Sequence, residues 1–341
     1  MNDETGKAPL SAESLPRIAL TMGDPAGIGP ELILKAFLDE EALGRCAPVV
    51  VGEIAVFRRY AEMLGIGMEF IRVESAREAR SAAGRMPVIE PEGSGAGDCL
   101  SIGRIGREHG AAAHRAIVEA SRLAMRGDVD GIVTAPIHKE SLRQAGVMFP
   151  GHTELLGHLA QSRQTAMLLA GGGLRVALAT IHTALRDVPA KITQGRLLPL
   201  FELTAEFMRR FGLENPRVGV AALNPHGGEG GLFGQEERTE IRPAIEKACA
   251  QGLSISGPFP GDTIFHSMLE GQFDVVVAMY HDQGLAPLKT LDFFGGVNVT
   301  MGLPYIRTSP DHGTAFDKAG KGEADPGSFL AALRLAAQLI A

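Results

Sequence analysis

The sequence of 341 residues contains no Trp, three Tyr and only three Cys, and each scarcity excludes a class of protein. Cys46, Cys99 and Cys249 are far apart and odd in number, so we expect no disulfide scaffold and a reducing, cytoplasmic location. No apolar run approaches the roughly 18 residues that a membrane-spanning helix needs. The net charge is −7 and no Lys- or Arg-rich run is present, which predicts neither a nucleic-acid nor a membrane partner.

Glycine, in contrast, is abundant at 43 residues, and short apolar runs alternate with segments of helical periodicity. The pattern predicts strands at 17–21, 131–135 and 175–180, and long helices at 107–126 and 193–211. Residues 73–106 are expected to form loops and edge strands. The polar residues 1–15 have no apolar stretch of the kind found in signal peptides and are expected to be a disordered lead-in. Strands that alternate with helices predict an α/β fold with a largely parallel sheet.

The first predicted strand runs into GDPAGIGPE at residues 23–31, just before a predicted helix. Three glycines at the N-terminus of a helix are suited to binding an anion. A tight strand-to-helix turn explains the same residues equally well. The spacing does not match G-x-G-x-x-G, so a Rossmann dinucleotide site is rejected.

Three histidines share a position just beyond an apolar strand. His182 follows VALATI, His226 follows VGVAALNP, and His281 follows DVVVAMY. Because ligands in parallel α/β sheets bind at the carboxyl ends of the strands, three imidazoles at this edge would suit one metal ion. A single histidine is more often structural than a metal ligand. Because three histidines share the same position, the two interpretations become about equally favoured. Imidazole ligands favour zinc-like ions over magnesium.

Two further segments contain residues suited to anions or nucleotides. Residues 151–153 (GHT) precede a predicted helix, and Lys289, Asn298 and Arg307 follow His281 along the chain. Lys and Arg charge combined with hydroxyl and amide donors is what a phosphate group requires. The segment from His312 to residue 322 is dense in small residues, which suggests a backbone that approaches a ligand closely.

From residue 17 to 341 the sequence resembles the 4-hydroxythreonine-4-phosphate dehydrogenase family of pyridoxal phosphate biosynthesis. The motifs that carry the resemblance, in chain order, are GDPAGIGPE, TAPIHK, GHTELL, LNPHGGEGG, AMYHDQG and GVNVTMGLPYIRTSPDHGTAFDKAG. The resemblance implies a two-domain α/β fold in α/β/α layers, similar to isocitrate and isopropylmalate dehydrogenases and not a Rossmann fold. It also implies a homodimer with active sites shared between subunits. We expect residues 1–145 plus 290–341 to form the nucleotide-binding domain and residues 146–289 the metal-binding and dimerisation domain.

The resemblance also implies roles for individual residues. The implied metal ligands are His182, His226 and His281 of the partner subunit, for one divalent ion per site, with zinc expected before magnesium or cobalt. The expected substrate contacts are His152, Thr153, Lys289, Asn298 and Arg307. The candidates for the general base are Lys289, Asp282 and Asp262. The implied cofactor contacts are His312, Gly313, Thr314, Ala315, Asp317 and Gly320.

The family reaction is the NAD-dependent oxidation of 4-phosphooxy-L-threonine at C3, followed by decarboxylation to 3-amino-2-oxopropyl phosphate. NADP is the alternative cofactor, because Lys318 and Lys321 lie beside Asp317. The alternative substrates are 4-phospho-D-threonate and 4-phospho-D-erythronate, on which some family members act in sugar-acid catabolism. A relative that oxidises cis-dihydrodiols is disfavoured by the intact GHT, Asn298 and Arg307. A non-catalytic phosphometabolite-binding protein is disfavoured by intact metal and nucleotide motifs.

Overall fold

The computed structural model describes residues 15–341 of the chain. The chain divides into two compact units, Met1–Pro150 with His312–Ala341 as the first and Gly151–Asp311 as the second. The predicted lead-in lies outside the described residues, apart from Leu15. None of the helices in residues 15–341 is long and apolar enough to cross a membrane.

The first unit alternates strands and helices as predicted. Its strands are β1 (Arg17–Thr21), β2 (Ala47–Val51), β3 (Glu69–Arg72), β4 (Arg85–Ile89) and β5 (Gly131–Thr134). Its helices are α1 (Gly29–Ala36), α2 (Glu40–Leu43), α3 (Ile54–Leu64), α4 (Arg107–Met125), α5 (Lys139–Gln144) and α11 (Gly327–Ile340). The strands pair in parallel in the order β3-β4-β2-β1-β5. Since α4 packs on β1, β2 and β5, and α11 on β5, these strands are apolar on consecutive residues.

The prediction of loops and edge strands over residues 73–106 is wrong for β4. This strand pairs with β2 on one side and β3 on the other, so it is an interior strand. Met86 and Val88 are fully buried there. The edge strand of this unit is β3, which the sequence analysis does not identify because EFIR is only four residues long and has a charged residue at each end.

The second unit combines parallel and antiparallel strands. Its helices are α6 (His152–Leu159), α7 (Gln194–Met208), α8 (Arg242–Ala250), α9 (Ile264–Leu269) and α10 (His281–Leu291). Its strands are β6 (Ala166–Gly171), β7 (Leu174–Leu178), β8 (Val218–Ala221), β9 (Ile255–Phe259), β10 (Val275–Ala278), β11 (Val297–Met301) and β12 (Ile306–Pro310). In the order β12-β11-β6-β7-β10-β8-β9, the first three pairs are antiparallel and the last three are parallel.

Residues 290–311, which the sequence analysis groups with the first domain, belong to this second unit. They belong there because strand β11 is hydrogen-bonded to β6 on one side and to β12 on the other. The α/β fold class is confirmed, and the largely parallel sheet holds for the first unit and for β7, β10, β8 and β9.

Helix α10 begins at His281 and positions much of the site. Pro287 and Gly284 lie inside this helix and interrupt the helical pattern in its sequence, because both residues disfavour helices. A Cβ atom at Gly284 would lie 2.8 Å from Val176 Cγ1, so the missing side chain lets the helix approach β7 closely. Leu285 and Leu288 bury the inner face of the helix in the core of the unit.

Candidate active site

The three predicted metal ligands follow neighbouring parallel strands. Strand β10 lies between β7 and β8, and all three run in the same direction. Their carboxyl ends therefore meet at one edge, where His182, His281 and His226 follow β7, β10 and β8. A ligand site is expected at this edge of the second unit.

His182 and His281 lie next to each other within one chain. Their ring centroids are 6.0 Å apart, with the rings tilted by 37°. Two imidazoles on one tetrahedral zinc-like ion place their centroids about 5 Å apart, from metal–nitrogen distances of about 2.0 Å. His281 Nδ1 is 2.6 Å from Asp282 Oδ1. This contact leaves His281 Nε2 as the ring nitrogen that a metal could bind, and a carboxylate on the other nitrogen is common for metal-binding histidines.

His226 lies in a glycine-rich loop, residues 225–231, and its φ of +53° is in the left-handed region. Its side chain is exposed. Within residues 15–341 no group of three or more His, Cys, Asp or Glu side chains is close enough to hold a metal ion. Within these residues, His182 and His281 therefore lie near each other, and the three histidines do not form one group. The expected division, with His182 and His226 from one chain and His281 from the partner subunit, stays a prediction.

A second cluster forms where β11, β12 and α6 meet. Asn298 pairs with Ser309 and Val299 with Thr308, and this register places Thr300 opposite Arg307. Arg307 Nη1 donates to Thr300 Oγ1 at 3.0 Å. Thr300 Oγ1 is 3.4 Å from Thr153 Oγ1, in the first turn of α6. Asn298 and Thr300 share a face of β11, because strand side chains alternate.

The electrostatics of this cluster favour an anion. Arg307 is only 2% exposed, and burial lowers the pKa of its guanidinium to about 9, although the charges of Tyr305 and Glu154 oppose the shift. The guanidinium therefore still carries a positive charge at pH 7. Burying a charge is costly unless opposite charge offsets it, so a bound anion would stabilise the site.

His152, next to Thr153, is neutral in this setting. Burial, and then the charge of Arg307, lower its pKa well below the ordinary value. Its Nε2 atom and the Oδ1 atom of Asn298 are buried with no hydrogen-bond partner within residues 15–341. Buried polar atoms are rarely left unpaired in folded proteins, so both atoms fit a ligand that would bond to them.

Lys289 lines a cavity of about 470 Å³ together with His281, Asp282, Leu285, Ala286 and Asp311. His281, Leu285 and Lys289 are spaced four residues apart on α10, so they lie on one face of the helix. Lys289 Nζ is 2.9 Å from Asp311 Oδ2 and 3.3 Å from the Asp311 carbonyl oxygen. The ammonium also lies 5.5 Å from the centre of the Phe293 ring. One cavity is thus lined by both His281 and the ion-paired Lys289.

The three candidates for the general base differ in their contacts. The Lys289 side chain is ion-paired with Asp311. Asp282 is engaged with His281. Asp262, in the turn before α9, is exposed and has no hydrogen bond or ion pair within the described part of the chain. Of the three candidates, Asp262 is therefore the one whose side chain is not engaged by another residue in the described part of the chain.

The predicted cofactor residues, His312, Gly313, Thr314, Ala315, Asp317 and Gly320, all lie in the first unit. The Thr314 carbonyl accepts from Ile28 N at 3.0 Å. Ala315 has a φ of +39°, and Phe316 stacks on His138 with centroids 4.8 Å apart. Asp317 is exposed. The loop is thus held by the rest of the unit while its acidic side chain faces solvent.

The end of this loop is tied to α1. Lys35 Nζ donates to the carbonyl oxygens of Gly322 and Ala324, and Glu31 Oε1 accepts from Ala324 N. Glu31 and Lys35 also form an ion pair at 2.8 Å, and Glu31 is fully buried. The glutamate that closes the GDPAGIGPE motif is thereby an anchor for the loop.

The glycines of that motif serve close packing. A Cβ atom at Gly27 would lie 2.9 Å from Thr314 Cβ, and one at Gly29 would lie 2.5 Å from the Met22 carbonyl oxygen. The amides of Gly27 and Ile28 donate to Asp24 and Thr314 carbonyl oxygens. Because these donors are bonded within the unit, the tight-turn interpretation is favoured over an anion site.

Two residues of the second unit were missed by the sequence analysis. Thr300 was overlooked although it lies two residues after Asn298 in a predicted substrate motif, which puts both on one strand face. Asp311 lies in the same motif, directly before His312. No pattern in the sequence indicates that Asp311 contacts Lys289, 22 residues earlier.

Comparison with known proteins gives consistent matches. Residues 44–336 match the model of the family described as pyridoxal phosphate biosynthetic protein PdxA. A 4-hydroxythreonine-4-phosphate dehydrogenase of Geobacter metallireducens is 46% identical over 324 residues, 95% of each chain. A D-threonate 4-phosphate dehydrogenase of Salmonella typhimurium is also 46% identical, over 94% of this chain and 98% of the relative. The crystal structure of a 4-hydroxythreonine-4-phosphate dehydrogenase from Klebsiella pneumoniae has a TM-score of 0.89 at 43% identity, covering 96% of this chain and all of that one.

Proposed function

Because the chain belongs to the pyridoxal phosphate biosynthetic protein PdxA family, we propose that it oxidises 4-phosphooxy-L-threonine at C3 with NAD. The β-keto acid formed then loses carbon dioxide and becomes 3-amino-2-oxopropyl phosphate, a step in pyridoxal 5′-phosphate biosynthesis. The chain is an enzyme, and its class is oxidoreductase.

The observation that carries this proposal is the buried Arg307 guanidinium beside neutral His152 and Thr153. Arg307 supplies the charge for the phosphate group and Thr153 a hydroxyl donor, while the buried Asn298 Oδ1 can accept from a hydroxyl of the substrate. Lys289, held by Asp311, adds a second positive charge at the cavity that also contains His281. A small acid with a phosphate on C4, a hydroxyl on the neighbouring C3 and a carboxylate at the other end matches this distribution of groups.

Asp262 is the group that we assign to take the proton of the C3 hydroxyl. Support comes from its carboxylate, which has no bonding partner within residues 15–341, whereas Lys289 is ion-paired with Asp311 and Asp282 is bonded to His281. Asp282 orients the His281 ring. Lys289 supplies a positive charge for an anionic group of the substrate. The nicotinamide ring of the cofactor accepts the hydride.

His182 and His281 of one chain would hold a divalent metal together with His226 of a second copy. The 6.0 Å separation of the His182 and His281 rings supports this division. So does the absence, within residues 15–341, of three His, Cys, Asp or Glu side chains grouped closely enough to hold a metal ion. A bound metal lowers the pKa of a coordinated hydroxyl and polarises a carbonyl. Zinc is proposed first because of the imidazole ligands, with magnesium and cobalt as the other outcomes of metal analysis. The proposal requires a homodimer with composite sites.

We propose that the loop from His312 to Gly320 binds NAD. The exposed Asp317 carboxylate can accept hydrogen bonds from ribose hydroxyls and would repel a 2′-phosphate. Exposed Lys318 and Lys321 lie nearby and are what would favour NADP instead. A cytoplasmic location belongs to the same proposal, and three free cysteines support a reducing compartment.

A second substrate is supported by the relatives themselves. The D-threonate 4-phosphate dehydrogenase matches this chain at the same 46% identity as the 4-hydroxythreonine-4-phosphate dehydrogenase. The two substrates share the phosphate and the C3 hydroxyl and differ at C2, where an amino group replaces a hydroxyl.

Steady-state kinetics with 4-phosphooxy-L-threonine, 4-phospho-D-threonate and 4-phospho-D-erythronate test the proposal. We expect the highest kcat/KM with 4-phosphooxy-L-threonine and NAD. A higher value with either sugar acid would assign the enzyme to sugar-acid catabolism, and no turnover of any of the three would refute the proposed function.

A further inference from the structure

We propose that Thr300 is a positioning residue that directs the hydroxyl hydrogen of Thr153 toward the phosphate group of the substrate. The inference rests on the proposed function, because it assumes that Thr153 and Arg307 bind this phosphate. Thr300 is 1% exposed, so it acts on the ligand only through these two neighbours.

The direction of the hydrogen bonds follows from what each group can donate. A guanidinium only donates, so Thr300 Oγ1 accepts from Arg307 at 3.0 Å. Thr300 has one hydroxyl hydrogen, and Thr153 Oγ1, at 3.4 Å, is its one acceptor within residues 15–341. If Thr153 donated to Thr300 instead, the deeply buried Thr300 hydrogen would lack a partner, which costs free energy. The stable arrangement therefore runs from Arg307 to Thr300 to Thr153.

This arrangement leaves the Thr153 hydrogen as the one without an acceptor. Thr153 is 7% exposed and lies in the first turn of α6, where backbone amides also point toward a ligand. The adjacent His152 Nε2 is buried and unpartnered, which is an independent sign that a ligand binds here. Thr153 thus becomes a donor that an anion with free acceptor oxygens would satisfy.

The test compares Thr300→Val with Thr300→Ser. Valine keeps the volume and removes the hydroxyl, while serine keeps the hydroxyl. We expect Thr300→Val to raise KM for the phosphorylated substrate about ten- to hundredfold, the range of one hydrogen bond to a charged group. Thr300→Ser should stay within about threefold of wild type, and kcat should change much less than KM in both. Thr204→Val is the matched control, because Thr204 is a fully buried threonine of the same unit whose hydroxyl has no hydrogen-bond partner in the described residues.

A direct binding measurement separates this inference from the proposed function. Inorganic phosphate is titrated into each protein by calorimetry, without substrate or cofactor. We expect wild type, Thr300→Ser and Thr204→Val to bind phosphate with similar Kd, and Thr300→Val to bind at least tenfold more weakly. That result would support the inference even if no phosphorylated acid were turned over. Phosphate binding by Thr300→Val at the wild-type Kd, or no phosphate binding by wild type, would overturn it.

A double-mutant cycle tests the route through Thr153. In a Thr153→Val background, Thr300→Val should weaken phosphate binding by a factor at least threefold smaller than in the wild-type background, since part of its effect has already been removed. Equal factors in the two backgrounds would contradict the proposed relay. If Thr300→Val does not fold, Thr300→Ala is measured in the same way, with the same expectations.

Discussion

Mixing inactive variants tests how the metal ligands divide between two copies of the chain. His182 and His281 lie 6.0 Å apart in one chain, so we expect them to serve the same site, with His226 serving the site of the other copy. His182 and His226 are exposed, so alanine at either position should leave the fold intact. Circular dichroism and thermal melting of each variant check this.

The expected activity follows from counting sites in a twofold dimer. In a mixed dimer of His182→Ala and His226→Ala chains, one site collects both defects and the other collects none. Random pairing makes about half of the dimers mixed, so the mixture should recover about a quarter of wild-type activity. In a mixed dimer of His182→Ala and His281→Ala chains, each site keeps one defect. That mixture should stay inactive.

The assay co-refolds equal amounts of two differently tagged variants, confirms the mixed dimers by tandem purification, and measures NADH formation. Each variant refolded alone is the control and should be inactive. Wild type mixed with His226→Ala should show about half of wild-type activity if the two sites act independently. Recovery with the His182 and His281 pair, and none with the His182 and His226 pair, would refute the reasoning and restore the division predicted from the sequence.

The remaining predictions concern pH, metal and cofactor. The pKa of ligand-free Arg307 is lowered to about 9, and phosphate binds its charged form, so the affinity for inorganic phosphate should be constant from pH 7.5 to 8.5 and fall about tenfold per unit above pH 9. Calorimetry across this range checks it, and an affinity unchanged at pH 10.5 would contradict the assignment. Asp282→Asn removes the charged partner of His281 and should weaken zinc affinity about 10- to 100-fold, measured by competition with a chromophoric chelator. Wild-type zinc affinity in this variant would show that Asp282 does not support the ligand. Asp317→Asn should lower the preference for NAD over NADP, measured as the ratio of kcat/KM values, and an unchanged ratio would place the discrimination elsewhere.

Much of the first unit was predictable because its elements are long or strongly apolar. Strand β1 begins and ends where the RIALT run does, and α4 follows the apolar spacing over residues 107–125. Strand β4 was misjudged because RMPVI is short and lies among glycine- and proline-rich segments. Helix α10 was missed because Gly284 and Pro287 interrupt the pattern, although packing against β7 and β10 stabilises the helix. At these positions tertiary packing outweighs the local secondary-structure propensity.

The sequence by itself determined the α/β class, the placement of histidines just beyond apolar strands, and the residue types suited to a phosphate. These follow from local periodicity and side-chain chemistry, which do not depend on the rest of the chain. Only the tertiary structure decided which residues meet. The strand order places β7 beside β10, so His182 contacts His281, and the β11–β12 register places Thr300 opposite Arg307. The ion pair of Lys289 with Asp311 likewise joins residues that are far apart in the sequence. Such contacts depend on strand pairing and helix packing between distant segments, and no local pattern encodes their partners.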